Sequence, residues 1–333
     1  MDTPVRWGIV GPGGIAAAVV PDFACVAGAR PVAVASRSAE RAAAFAAAHG
    51  IDRAYGSYRG IVDDPDVDVL YVATPHPQHH AIALAALRAG KAVLVEKAFT
   101  ATVAGAREVV DAARHAGVFA MEAMWTRFQP AVVRLRELLA AGVVGEVTGV
   151  QANLGGVREY DPASRFYDPA LGGGALLDLG VYAVSFAQMV LGTPHTVTAH
   201  GVRTPSGVDA ETALLLGYAD GRTATLTTSL RTPLPGQARV FGTGGWIELL
   251  PPPGFFRPTS LVLHRPGAAP DEITAPALGA GFAHELAEVT ECVRAGRTES
   301  AVMPLDDTLA VQGVLEEAAR QLGVRFAEDP TPV

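Results

Sequence analysis

Two groups of side chains in this sequence have the types and spacing to move a proton on and off a hydroxyl. Lys97 closes the apolar run Val93-Leu94-Val95-Glu96-Lys97, and Asp178 and Tyr182 follow the glycine run Gly172-Gly173-Gly174. Residues four apart on a helix share a face, so a helix through 178–182 presents a carboxylate and a phenol to one pocket. Lysine titrates near ~10.4 in water, and partial burial or a neighbouring cation brings it toward the range of a general base. Each group also has a plainer reading: a lysine that snorkels to solvent from a strand end, and an Asp–Tyr pair that only ties a helix into a core.

What such a base would serve is written near the start of the sequence. Gly8-Ile9-Val10-Gly11-Pro12-Gly13-Gly14-Ile15-Ala16 contains the G-x-G-x-x-(G/A) pattern at Gly11, Gly13 and Ala16. Gly11 permits a tight turn, Gly13 admits a pyrophosphate against the backbone, and Ala16 lets the helix pack close to its strand. Gly14 and Ile15 open that helix with amides toward the anion. Within a βαβ unit this pattern predicts dinucleotide binding, and a nicotinamide would accept the hydride whose partner proton the base removes. The second strand ends in Val34-Ala35-Ser36-Arg37-Ser38, with no carboxylate for the adenosine ribose. Arg37 and Arg41 are spaced to grip a 2′-phosphate, with a hydrogen bond from Ser36 or Ser38, so NADP is expected and NAD is the alternative. The competing reading is two solvated arginines paired with Glu40. After the fourth strand, Thr74-Pro75-His76-Pro77-Gln78-His79-His80 gathers three histidines without a cysteine, where a strand hands over to a helix. Thr74, Pro75, His76 and His79 are therefore expected to border the dinucleotide, and no metal is expected.

The elements that position these residues follow from periodicity. Strands are predicted over 5–10, 31–35, 67–73, 92–96 and 118–121, alternating with helices over 14–26, 39–48, 78–89 and 101–116, several closed by Gly50, Gly90 and Gly117. That alternation predicts a doubly wound parallel sheet, whose ligands sit outside the carboxyl ends of the strands. From Glu122 onward the texture changes. Helices are predicted over 131–141 and 174–190, and period-two segments over 197–202, 212–218, 223–229, 238–242 and 246–250 favour an antiparallel sheet. Pro251-Pro252-Pro253-Gly254 breaks the run before helices over 282–294 and 305–322. With 333 residues, two domains are expected: 1–121 for the dinucleotide and 122–333 for substrate and subunit contacts, the last helix packing back on the first. A net charge of −8 argues against a nucleic-acid partner. Cys25 and Cys292 are isolated and the start lacks a signal-peptide pattern, which points to the cytoplasm. Apolar runs are interrupted before membrane-spanning length, so no membrane partner is expected.

These residues resemble the Gfo/Idh/MocA family of NAD(P)-dependent oxidoreductases across the whole chain. Glu96-Lys97 is similar to its E-K-P motif, and Gly172 through Tyr182 is similar to its G-G-G-x-x-x-D-x-G-x-(H/Y) motif. Ala54-Tyr55-Gly56-Ser57-Tyr58, His76-Pro77-Gln78-His79 and Met121-Glu122-Ala123-Met124-Trp125-Thr126-Arg127-Phe128 resemble the branch of dimeric dihydrodiol dehydrogenases and NADP-dependent D-xylose 1-dehydrogenases. The resemblance implies an N-terminal Rossmann domain and a C-terminal α/β domain with a large open, mainly antiparallel sheet, forming a homodimer or homotetramer through that sheet. It implies that Lys97 and Tyr182 relay the proton and that Asp178 orients substrate or lysine. Glu96, Trp125 and Arg127 would border nicotinamide and substrate, a sugar or cyclic diol. Ala98 stands where the family usually has proline, which removes a backbone constraint beside Lys97. Arg158, Tyr160, Arg165, Phe166 and Tyr167, in the loops before the glycine run, are either pocket residues or ordinary surface loop residues.

Overall fold

The computed structural model describes residues 3–331 and residue 333. The chain forms two compact units: Met1–Ala123 with Leu278–Thr308 and Ala327–Val333, and Met124–Ala277 with Leu309–Phe326.

The first unit runs β1 (Val5–Val10), α1 (Gly14–Val19), β2 (Ala29–Ala35), α2 (Ala39–His49), β3 (Arg53–Tyr55), α3 (Tyr58–Val62), β4 (Val69–Val72), α4 (His76–Arg88), β5 (Ala92–Glu96), α5 (Val103–Ala116) and β6 (Ala120–Ala123). The strands are parallel in the order β3-β2-β1-β4-β5-β6, so the strand order reverses between β1 and β4. β4 and β5 are buried at every residue because helices cover both faces of the sheet. Ser38, Ser57 and Thr102 cap α2, α3 and α5, and left-handed Gly50 and Gly117 close α2 and α5 as expected. The helix predicted over 14–26 is α only to Val19. Pro21 lacks an amide donor, and the chain continues as a 3-10 turn over Val20–Cys25. β3 and α3 escaped prediction because three and five residues are too few for a period.

The second unit contains α6 (Pro130–Ala140), β7 (Val147–Gly155), a π-helical turn (Leu176–Gly180) continued by α7 (Val181–Leu191), then β8 (Thr196–Arg203), β9 (Asp209–Gly217), β10 (Thr223–Ser229), β11 (Ala238–Gly242), β12 (Gly245–Leu249), β13 (Ser260–His264) and β14 (Asp271–Thr274). Its eight strands are ordered β14-β13-β12-β11-β7-β10-β9-β8, and only β7–β10 is a parallel pair. Leu214, Leu216, Ala224, Leu226, Val150 and Ala152 are buried on one face, while Leu215 on the other is 50% exposed. β7 was missed because glycine and polar residues interrupt it. Gly149 is required there, since a Cβ would lie 2.9 Å from Thr223 O on the neighbouring strand. The helical stretch Pro169–Leu191 is long and apolar enough to span a bilayer by length and average composition, although Gly172–Gly174, Asp178 and Gly180 interrupt its apolar run. It is the core helix of this unit, with 72% of its most apolar window buried.

The expected division at residue 121 is corrected in two respects. α8 (Ala283–Arg294) belongs to the first unit, where the buried Asp22 carboxylate accepts the N–H groups of Ala280, Phe282 and Ala283 at 2.8–3.1 Å. The last helix, α9 (Leu305–Leu322), lies mostly in the second unit instead, where Gln321 bonds Ala199 N and Val197 O of β8.

Candidate functional site

A glycine turn follows the carboxyl end of β1. Gly11 has φ of 91°, and a Cβ there would meet Ala73 O at 2.9 Å, so only glycine fits the turn. A Cβ at Gly13 or Gly14 would meet nothing within 4 Å, which leaves open space over the start of α1. α1 has no side-chain cap and no acidic residue in its first turn, so its leading amides are not engaged by either. These features fit a pyrophosphate.

At the end of β2, Ser36 is buried and its Oγ accepts Ser38 N–H at 3.2 Å, while Ser38 Oγ accepts Arg41 N–H at 3.2 Å. Ser38 is thus the cap of α2, and Arg37 precedes the helix instead of sharing a helical face with Arg41. Both guanidinium charges nevertheless act on the Tyr58 phenol. Burial pushes that phenol up while the arginines pull it down. Arg37, Tyr58, Gln78 and Ile82 line a cavity of about 290 Å³ at the ends of β2 and β3 and the start of α4.

Thr74 and Pro75 are half-buried at the turn after β4. The three neighbouring histidines diverge. His80 faces Glu108 at 2.8 Å, His76 packs edge-on against His79, and His79 has no exposed surface. His79 Nε2 lies 2.7 Å from Thr74 O and its Nδ1 lies 3.0 Å from Ala98 O, so the ring ties the turn after β4 to the segment after β5. Burial pushes its pKa down. His79 therefore supports the turn at Thr74 from behind. Among the described residues no group of three or more His, Cys, Asp or Glu side chains is arranged to hold a metal.

Lys97 follows β5 and is half-buried, joined to buried Ala98 by a cis peptide. The segment is clamped, with Ala98 O facing His79 and Phe99 N–H donating to the buried Glu122 at 3.1 Å. Glu96 points into the core and accepts the Tyr71 phenol at 2.5 Å. The buried Glu285 of α8 was not foreseen; burial and the nearby charges of Glu96 and Asp22 push its carboxyl well up.

In the second unit, the glycine run seats the 158–168 loop on the helix start. Gly174 N donates to Phe166 O and Gly173 N to Asp168 O, and a Cβ at Gly173 would lie 2.9 Å from the Phe166 backbone. Asp178 lies in the π-helical turn, 13% exposed, 3.4 Å from Arg165, whose guanidinium stacks over Phe166. Tyr182 is half-buried on the first turn of α7, 6.0 Å from the Phe256 ring, which also neighbours Trp125 at 6.2 Å. Arg158 and Tyr160 are exposed, but Tyr167 is core, with its phenol donating to Arg158 O at 2.8 Å. Arg127 is 2% exposed and holds α7 through Ser185 Oγ at 3.1 Å, Ser185 O at 3.3 Å and Gln188 Oε1 at 2.6 Å. It steadies the helix that carries Tyr182.

Two supports in this unit carry no motif. Asp209, fully buried, accepts Leu176 N–H at 2.8 Å and Thr212 Oγ1 at 3.1 Å, and burial pushes its carboxyl up to about 6. Its approach requires Gly174, where φ is 118° and a Cβ would clash with Asp209 Oδ1. Phe256 follows the Pro251–Gly254 turn, and its carbonyl accepts Thr126 Oγ1 at 2.7 Å. An aromatic pair directly after a proline-rich turn was the available signal.

Comparison with known proteins agrees with this arrangement. A model of the oxidoreductase family with an NAD-binding Rossmann fold matches residues 5–124, and one of the GFO/IDH/MocA C-terminal domain matches residues 132–248. The trans-1,2-dihydrobenzene-1,2-diol dehydrogenase of Macaca fascicularis is 41% identical over 340 residues, covering 98% of this chain and 99% of its own. An aldose-aldose oxidoreductase from Caulobacter crescentus superposes with a TM-score of 0.86 at 29% identity, covering 96% of this chain and 98% of its own. A 3-ketoreductase from Actinomadura kijaniata, solved with NADP and TDP-benzene, gives 0.84 at 26% identity, covering 98% and 100%.

Proposed function

The chain belongs to the GFO/IDH/MocA oxidoreductase family, and on that premise we propose that it is an NADP-dependent dehydrogenase acting on a carbinol carbon of a cyclic polyol, a trans-dihydrodiol or a pyranose sugar. The observation that carries this reading is the pairing, within one sheet, of the Gly11–Gly14 cradle after β1 with Lys97 after β5. The cofactor, when bound, supplies the ring that accepts hydride. The chain's residues do the remainder. Gly13, Gly14 and the start of α1 hold the pyrophosphate, and Arg37 and Arg41 bind the 2′-phosphate. Tyr182 takes the hydroxyl proton as the C–H bond breaks, Lys97 carries it on, and Asp178 orients the reacting hydroxyl. Trp125 and Phe256 offer apolar surface to the sugar or diol ring.

The dihydrodiol dehydrogenase relatives favour oxidation of a diol, and the ketoreductase relative favours the same site run toward reduction. The outer face of the second sheet carries Val202, Leu215 and Trp246 exposed, which supports association of this chain with itself across that face. A panel of aldoses, inositols and dihydrodiols assayed with NADP and NAD in parallel tests the reading. Turnover of a cyclic diol or aldose with NADP is expected. Silence across the panel in both directions, with cofactor bound, would point to a cofactor-binding regulator.

A further inference from the structure

Resting on the NADP reading above, we propose that residues 327–331 are part of the cofactor site, and that Asp329 sets how strongly a 2′-phosphate is preferred. Asp329 and Thr331 form the wall of the 290 Å³ cavity that also holds Arg37, Tyr58 and Gln78. That volume is at the low end of the roughly 300–1,000 Å³ of ligand pockets, suited to one nucleoside. The cavity sits at the carboxyl ends of β2 and β3, where a dinucleotide's adenosine half belongs.

Glu328, Asp329 and Thr331 are held by hydrogen bonds. Glu328 accepts Thr102 N–H at 2.7 Å and Thr102 Oγ1 at 2.8 Å, and Asp329 N–H donates to Pro77 O at 2.7 Å. Asp329 Oδ1 accepts Thr331 N–H at 2.9 Å. Hydrogen bonds from Thr331 lead in holding the Asp329 carboxyl below its ordinary value, aided by Gln78 and the charge of Arg37. The carboxylate that β2 lacks is thus supplied from the far end of the sequence, beside the arginine that would grip the 2′-phosphate. A carboxylate there accepts ribose hydroxyls and repels a phosphate dianion, so it moderates the preference that Arg37 creates.

The test is the ratio of dissociation constants for NADH and NADPH, read by nicotinamide fluorescence on the full chain. Asp329→Asn should tighten NADPH by roughly three- to tenfold, the effect of removing one charge near a dianion in a solvated pocket, and should not tighten NADH. Asp329→Glu should restore the original ratio. Deleting residues 330–333, which leaves Glu328 and Asp329 in the chain, should weaken both cofactors. A ratio unchanged in Asp329→Asn, or a deletion that leaves both constants unaltered, overturns the proposal. An unmodified chain that binds neither dinucleotide overturns the underlying reading instead.

Discussion

Asp209→Asn separates the support of the Tyr182 helix from the chemistry it serves. Asp209 has no exposed surface, and its carboxyl is pushed from 3.8 to about 6 by burial, against the hydrogen bonds from the Leu176 amide and Thr212 that favour the anion. A rise of that size means that ionising the carboxyl costs the folded state ~3 kcal/mol more than the unfolded chain. The folded pKa is the higher one, so the stability of the neutral form is fully present below pH 3.8 and is lost as pH rises through about 6. Asparagine is close in size and does not titrate. The assay is urea unfolding of both proteins at several pH values, taking the difference so that the other carboxylates cancel. Between about pH 4.5 and 7.5 the wild type should lose ~2 kcal/mol relative to the variant. A difference flat to within ~0.5 kcal/mol, or one of opposite sign, would refute the claim that Asp209 is an anion held in a dry site.

Three further outcomes follow from the site. Lys97→Met should cut turnover by about 10²–10⁴-fold while NADPH affinity, read by fluorescence, moves little; substantial residual turnover would remove the lysine from the mechanism. Arg37→Ala should weaken NADPH by roughly 10–100-fold, the value of a charge-assisted phosphate contact, and NADH far less. Equal losses for the two cofactors would sink the 2′-phosphate role. Arg127→Met strips the partners from Ser185 and Gln188 on α7, so it should cost about 2–3 kcal/mol in unfolding and lower kcat with cofactor affinity retained. Unchanged stability would show that the guanidinium does not hold the helix.

The parts of the molecule legible in the sequence are those where local rules and global fold agree. Strands β4 and β5 are buried at every residue and β1 and β2 along their carboxyl halves, and the glycine turn at Gly11 and the caps at Gly50 and Gly117 impose conformations that only certain residues adopt. Lys97 could be placed because the strand before it could. What stayed hidden depends on residues distant in sequence. Asp22 caps the start of α8, Asp329 reaches the pocket of Arg37, and Arg127 bonds Ser185 and Gln188 of α7. None leaves a periodic trace, because each is a single polar group whose partner is fixed only when the chain has folded. Arg127 and His79 sit in segments that match family patterns, and both are buried, Arg127 bonding Ser185 and Gln188 of α7 and His79 bonding Thr74 O.

The glycine run before Asp178 shows why such supports are needed. A helix that begins inside a core must satisfy its leading amides without water, and no residue of Gly172-Gly173-Gly174 can do so with a side chain. The chain solves this from outside the helix, with Asp209 accepting Leu176 N–H and the Phe166 carbonyl accepting Gly174 N–H. Both solutions demand the absence of a Cβ, since one at Gly173 would lie 2.9 Å from the Phe166 backbone and one at Gly174 would strike Asp209. The wider π-helical turn that follows carries Asp178 onto α7 and Tyr182. Glycines, buried acid and loop backbone are therefore one device. Its output is the position of a carboxylate and a phenol, and a substitution at any of its parts should be read first as a change in where those two groups point.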